Sequence, residues 1–169
     1  MRKLVTWIKK RKVSDWIFVI IIIFALFMRG PGLLEQYKQQ GNKLTPIVLN
    51  GKFFPPPQTK SVLVFWASWC GPCTIELNRI HSAIEKKEIL PINIYAVNLG
   101  ESSDVVNKVM HERKFKLPVI LDERGVLANL LNVRATPTIV FVDESGKINW
   151  ISSGLSPSLI FRIKHFLEN

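Results

Sequence analysis

Cysteine is nearly absent from the 169-residue chain: Cys70 and Cys73 are its only two. That scarcity excludes a disulfide framework, because neither cysteine has a partner other than its neighbour. A structural disulfide stabilises most when it closes a long loop. A bridge over two intervening residues gains little in that way, so the spacing points to redox chemistry. Zinc needs a second Cys/His pair at short spacing, and His81, His111 and His165 are scattered. Haem attachment requires a histidine directly after the second cysteine, where Thr74 stands. No metal and no cofactor is expected.

Internal repeats are also lacking, and so is low-complexity sequence beyond Pro55-Pro56-Pro57. That proline run reads as an extended connector. No basic stripe interleaved with aromatics appears, which argues against nucleic-acid binding. The formal charge is +10, but it is unevenly placed. Within residues 1–31, Arg2, Lys3, Lys9, Lys10, Arg11, Lys12 and Arg29 stand against Asp15 alone, so more than half of the charge lies there. An apolar fraction of 47% excludes a wholly disordered chain and suffices for one domain with a short appendage.

The basic cluster adjoins the most apolar run, Trp16 to Met28. Sixteen or so helical residues span about 24 Å, which a locally thinned bilayer accommodates. No Ala-x-Ala-like cleavage site follows, so the segment reads as an uncleaved anchor rather than a removed signal peptide. Basic residues remain on the cytoplasmic side of such a helix. The expected organisation is a cytoplasmic basic segment over 1–12, a transmembrane signal-anchor over 13–31, a stalk over 32–43 and a folded domain over 44–169. Either an anchor or a cleaved signal would export that domain.

Its element pattern is α/β. Asn50-Gly51 marks a hairpin turn between Leu44 and Phe54. Strands are expected at Val62–Ala67, Ile92–Leu99, Pro118–Leu121, Thr138–Val142 and Lys147–Ser152. Helices are expected from about Cys73 to Lys87, from Ser102 or Ser103 to about Lys114, around Val126–Leu131, and from Ser156-Pro157 onward with the serine as N-cap. After the hairpin the order is β-α-β-α-β-α-β-β-α, which implies a mixed sheet covered on both faces.

Phe65-Trp66-Ala67-Ser68-Trp69-Cys70-Gly71-Pro72-Cys73 leaves a buried strand and opens a helix. Unpaired N–H groups and the positive end of the helix dipole stabilise a thiolate there, and the thiolate is the attacking species in disulfide exchange. Cys70 is therefore expected to be the exposed nucleophile and Cys73, one turn later, the resolving thiol. Gly71 permits a tight backbone, and Pro72 suits the first helical turn.

Trp69-Cys70-Gly71-Pro72-Cys73 resembles the active-site motif of thioredoxins. Ala135-Thr136-Pro137-Thr138 resembles the loop that carries their cis-proline. The longer stretch between Leu99 and Leu131, with Asn98-Leu99-Gly100-Glu101-Ser102 and Leu117-Pro118-Val119-Ile120-Leu121-Asp122, resembles the TlpA/ResA-like group. That group includes the cytochrome c maturation thioredoxins. The similarity covers about Leu44 to Asn169. It implies a thioredoxin fold with a TlpA-like insertion, a cis bond before Pro137, and a Thr136 backbone that pairs with a substrate chain. Glu76 matches the group's active-site glutamate, which implies proton exchange with the cysteines. Trp69 is expected to shield the site and to contact substrate.

Two positions depart from the pattern. Val64 stands where thioredoxins carry a buried aspartate. Asn78 stands where many relatives have a helix-kinking proline. His81 is expected at the surface. The reading is an extracytoplasmic thiol–disulfide oxidoreductase on a bacterial cytoplasmic membrane. It would reduce an exported cysteine-containing protein such as apocytochrome c and be re-reduced by a membrane electron donor. An oxidase of the same fold would use identical residues. A non-catalytic peptide-binding module would not need the cysteines. A peroxidase would need a threonine at Ala67.

Overall fold

The computed structural model of the protein describes residues 16–24, 38–49 and 52–169. The chain divides into two compact units, Met1–Glu35 and Gln36–Asn169. In the first unit, residues 16–24 are helical. The rest of the expected anchor, the basic segment before it and residues 32–37 lie outside the described residues. Among the described residues no helix is long and apolar enough to cross a membrane.

The second unit opens with a short antiparallel hairpin of β1 (Ile47–Leu49) and β2 (Lys52–Phe54). The expected Asn50-Gly51 turn lies outside the described residues; of the strand residues, Leu49 pairs with Lys52. A five-stranded sheet follows, built of β3 (Ser61–Trp66), β4 (Ile94–Leu99), β5 (Val119–Asp122), β6 (Thr138–Val142) and β7 (Ile148–Ser153). Its spatial order is β5-β4-β3-β6-β7. The pairs β3–β4 and β4–β5 are parallel, whereas β6 is antiparallel to both β3 and β7.

Strand β3 is central and wholly buried, as its unbroken Val-Leu-Val-Phe-Trp run requires. Alternate residues face opposite sides. Val62, Val64 and Trp66 pack with α1 (Gly71–Glu85), α2 (Ser103–Glu112) and α4 (Leu159–Glu168). Leu63 and Phe65 pack with α3 (Val126–Leu130) and with Leu44 and Phe54 near the hairpin. Helix α3 starts under a buried carboxylate, since Asp122 accepts the N–H groups of Leu127 (3.2 Å) and Ala128 (2.8 Å). The elements α2 and β5 occupy the stretch that the sequence marks as longer than in thioredoxin.

Gly41, within the expected stalk, donates to the Ile148 carbonyl at 2.8 Å, and Leu44, where the folded domain is expected to begin, donates to the Gly146 carbonyl at 2.7 Å. Gly146 has φ +82°, and a Cβ there would sit 2.9 Å from the Leu44 carbonyl oxygen, so the docking needs glycine. Ser156-Pro157 does not begin the last helix. Its N-cap is Ser158, because the polar groups of Ser156 and Pro157 are engaged by helix α1. In α2, Val105 is 43% exposed, and the helix buries Val106 and Met110.

Candidate active site

Strand order brings three loops to one end of the sheet. Strand β3 ends at Trp66. The parallel strand β4 ends beside it, with Asn98 opposite Trp66. The antiparallel strand β6 begins beside it, with Thr138 opposite Phe65. Residues 67–70, 99–102 and 135–137 therefore leave or enter the sheet side by side.

The first loop turns tightly, the Cys70 N–H donating to the Ala67 carbonyl at 3.2 Å. Cys70 then caps α1. Its backbone is extended, and its Sγ accepts the Cys73 N–H at 3.2 Å. The sulfur thus occupies the place of a capping oxygen, where helix N–H groups favour an anion. Pro72 lies in the first turn, where no N–H is needed. Cys70 and Cys73 are joined as a disulfide. In this oxidised form Cys70 is 5% and Cys73 1% exposed. The expected exposed nucleophile is thus buried in the disulfide state, where both cysteines belong to the core cluster of Trp66, Ala67 and Leu77, yet Cys70 remains the more accessible of the two. Trp69 is 78% exposed, and Gly71 and Pro72 are exposed beside it.

The Thr136–Pro137 peptide bond is cis, as is Phe54–Pro55. Pro137 is buried and Thr136 half-buried. The Thr138 hydroxyl closes this turn by donating to the Ala135 carbonyl at 2.7 Å. The Pro137 carbonyl accepts the Gly154 N–H at 2.7 Å. Residues 154–157 then run from the proline turn to α1.

Glu76 is fully buried on α1. One of its oxygens accepts the Ser156 N–H. The other accepts from Arg79 Nη1 at 2.8 Å. Arg79 continues to the Ser156 carbonyl (2.8 Å) and, through Nη2, to the Pro157 carbonyl (2.9 Å). The partners of this carboxylate are therefore a guanidinium and a backbone amide, and neither hydrogen bond runs to a cysteine. Val64 is buried between Ala96 and Ile139, so the place of the absent aspartate is filled by core packing. Helix α1 runs unbroken through exposed Asn78. His81 is half-buried rather than at the surface, its ring edge-on to Phe115 at 6.0 Å.

Sequence reasoning missed five participants: Arg79, Ser156, Ser68, Asn98 and Glu101. Glu101, just beyond β4, accepts the Ser68 N–H and Asn98 Nδ2, each at 2.7 Å, and also the Ser68 hydroxyl. Burial by itself would raise the Glu101 carboxyl. The bonds from Asn98 and Ser68 outweigh it and hold the group below the usual carboxylate range. The only signal for it was its place in the Asn98–Ser102 segment. Among the described residues no cluster of His, Cys, Asp and Glu is arranged to hold a metal ion.

Residues 54–151 match the AhpC/TSA family. The chain is 27% identical over 117 residues to sporulation thiol-disulfide oxidoreductase A of Bacillus subtilis, covering 68% of this chain and 70% of that one. It is 30% identical over 95 residues to thiol-disulfide oxidoreductase ResA of Geobacillus kaustophilus. That match spans 54% of this chain and 53% of the relative, about half the length of each. The crystal structure of StoA from Bacillus subtilis superposes with a TM-score of 0.59 at 24% identity, over 76% of this chain and 98% of that one. The fold is thus thioredoxin-like, with a mixed central sheet.

Proposed function

The chain belongs to the AhpC/TSA family and is a thiol–disulfide oxidoreductase of the ResA/StoA kind, and from that premise we propose that it reduces disulfides of exported proteins. The observation that carries this reading is a Cys70–Cys73 disulfide at the N-cap of α1, beside a cis-proline turn. In the reduced pair, the Cys70 thiolate attacks a substrate disulfide. That S–S bond breaks, one substrate sulfur leaves as a thiolate, and a mixed disulfide forms on Cys70. Cys73 then loses its proton and attacks the Cys70 sulfur. The second substrate sulfur leaves, so two electrons have passed to the substrate and the Cys70–Cys73 disulfide remains. Burial of Cys73 favours this order, because an incoming disulfide meets Cys70 first.

Trp69, Gly71 and Pro72 form the exposed surface on which substrate rests, and the Thr136–Pro137 backbone offers strand-like pairing to its chain. Leu155, half exposed on the loop between Gly154 and Ser156, extends that surface. Glu76 acts through Arg79 by holding this loop against α1. A dithiol donor in the membrane restores the reduced pair. The substrate is an exported cysteine-containing protein, apocytochrome c among the candidates. Residues 13–31 anchor the chain in a bacterial cytoplasmic membrane, with the catalytic domain on the extracytoplasmic side.

The test uses two variants and one potential. Cys73→Ser should trap substrate as a mixed disulfide, and Cys70→Ser should abolish turnover. Turnover retained in Cys70→Ser would refute the assignment. Equilibration against thiol buffers should place the pair near about −270 mV, the range of a reductant. A value near about −120 mV would make it an oxidase, with electrons running the other way.

A further inference from the structure

Glu101 differs from Glu76 in the company it keeps. Glu76 faces a guanidinium, whereas the hydrogen-bond partners of Glu101 are three neutral donors: the Ser68 amide, the Ser68 hydroxyl and the Asn98 side-chain amide. No ion pair involving Glu101 is formed among the described residues. Asn98 is fully buried in register with Trp66; its Nδ2 faces the carboxylate, and its Oδ1 has no partner among the described residues. Ser68 sits inside the Ala67–Cys70 turn that delivers Cys70 to the helix. One carboxylate thus fastens the loop after β3 to the end of β4.

We propose that Glu101 is a positioning residue for Cys70: by accepting both donors of Ser68 it fixes the turn that places the attacking sulfur at the N-terminus of α1. The proposal rests on the thiol–disulfide reading for its purpose but not for its measurement. The Ser68 and Asn98 N–H groups share one carboxylate oxygen, and the Ser68 hydroxyl faces the other. A glutamine of equal size keeps one acceptor oxygen and can only donate its NH₂ to the Ser68 hydroxyl oxygen, so charge-assisted bonds become neutral ones of about half the strength. Packing is conserved in that replacement and the fastening is weakened. Released from the turn, Cys70 spends less time at the helix N-terminus and loses thiolate stabilisation.

The experiment follows alkylation of Cys70 by iodoacetamide against pH in the reduced full chain, read by mass at that residue. It depends on no substrate and on no direction of electron flow. Glu101→Gln should raise the apparent pKa of Cys70 and slow its alkylation at pH 7 by about tenfold. Ser68→Ala, which leaves the carboxylate charge in place, should move both in the same direction by about threefold. A lower pKa in Glu101→Gln would show a carboxylate acting on Cys70 only as a charge, and would overturn the proposal. Wild-type alkylation in Ser68→Ala would overturn it too, and that variant decides the matter if Glu101→Gln fails to fold.

Discussion

At the scale of single residues, the two carboxylates near the redox pair have exchanged the prominence that sequence suggests. Glu76 is visible from its spacing to Cys73, yet its oxygens are engaged by Arg79 and Ser156. Glu101 is inconspicuous because its partner Ser68 lies 33 positions away, and only the parallel pairing of β3 and β4 brings them together. Short-range chemistry was legible: the cysteines, the cap geometry and the turn proline all sit within local motifs. Contacts made across the sheet were not. The Glu101 carboxyl is held below its usual range despite burial, so its ionised form favours the folded state. For a depressed carboxyl, that stabilisation is full above the unfolded pKa of about 4.3 and is lost as pH falls through the folded value. The melting-temperature gap between wild type and Glu101→Gln should therefore be constant near neutrality, narrow below about pH 4.3 and close at lower pH. Thermal melts from pH 7 to pH 2.5 check this, and a gap independent of pH would remove the carboxylate's charge from the account.

Among elements, order and type were legible because periodicity and caps are local. Strand β3 is an unbroken apolar run, α1 opens at a cysteine-proline turn, and the last hairpin surrounds Asp143-Glu144-Ser145-Gly146. The start of α4 was not legible. Ser156-Pro157 has the composition of a helix start, but tertiary bonding overrides it. The Ser156 N–H is taken by Glu76, while the Ser156 and Pro157 carbonyls are taken by Arg79. This cluster is the joint between the cysteine helix and the loop that holds the proline turn through Gly154. Arg79→Ala leaves a fully buried carboxylate with one backbone amide and removes a donor from two carbonyls, of which that of Ser156 keeps the Leu159 N–H at 3.0 Å. Loss of one partner from a buried pair is strongly destabilising, and the partial exposure of Arg79 puts the expected cost at the low end, about 3 kcal/mol. Urea unfolding measures it. Arg79→Lys should recover only part, since an ammonium cannot span the carboxylate and two carbonyls as a guanidinium does. Wild-type stability in Arg79→Ala would mean that the joint is held by the apolar contacts of α1 and α4 alone.

For the whole molecule, the scarcity of cysteine provides a direct test of topology. Cys70 and Cys73 are the only thiols in the chain, and both lie in the unit Gln36–Asn169. Any thiol label on the protein therefore reports the location of that unit. The basic excess before Trp16 favours a cytoplasmic N-terminus, and a single span would then put the thioredoxin-like unit on the opposite face. Spheroplasts can be reduced with a membrane-impermeant phosphine and then exposed to an impermeant maleimide of large mass. The expected result is a mass shift in intact spheroplasts equal to that after lysis. It should disappear in Cys70→Ser if Cys73 stays as inaccessible in the reduced chain as it is in the disulfide, where it is 1% exposed. A shift seen only after lysis would place the domain in the cytoplasm and remove exported proteins from its substrates, while leaving the redox chemistry of the pair intact. A shift in intact spheroplasts from protein that washes off the membrane would keep the export but cost residues 13–31 their anchoring role.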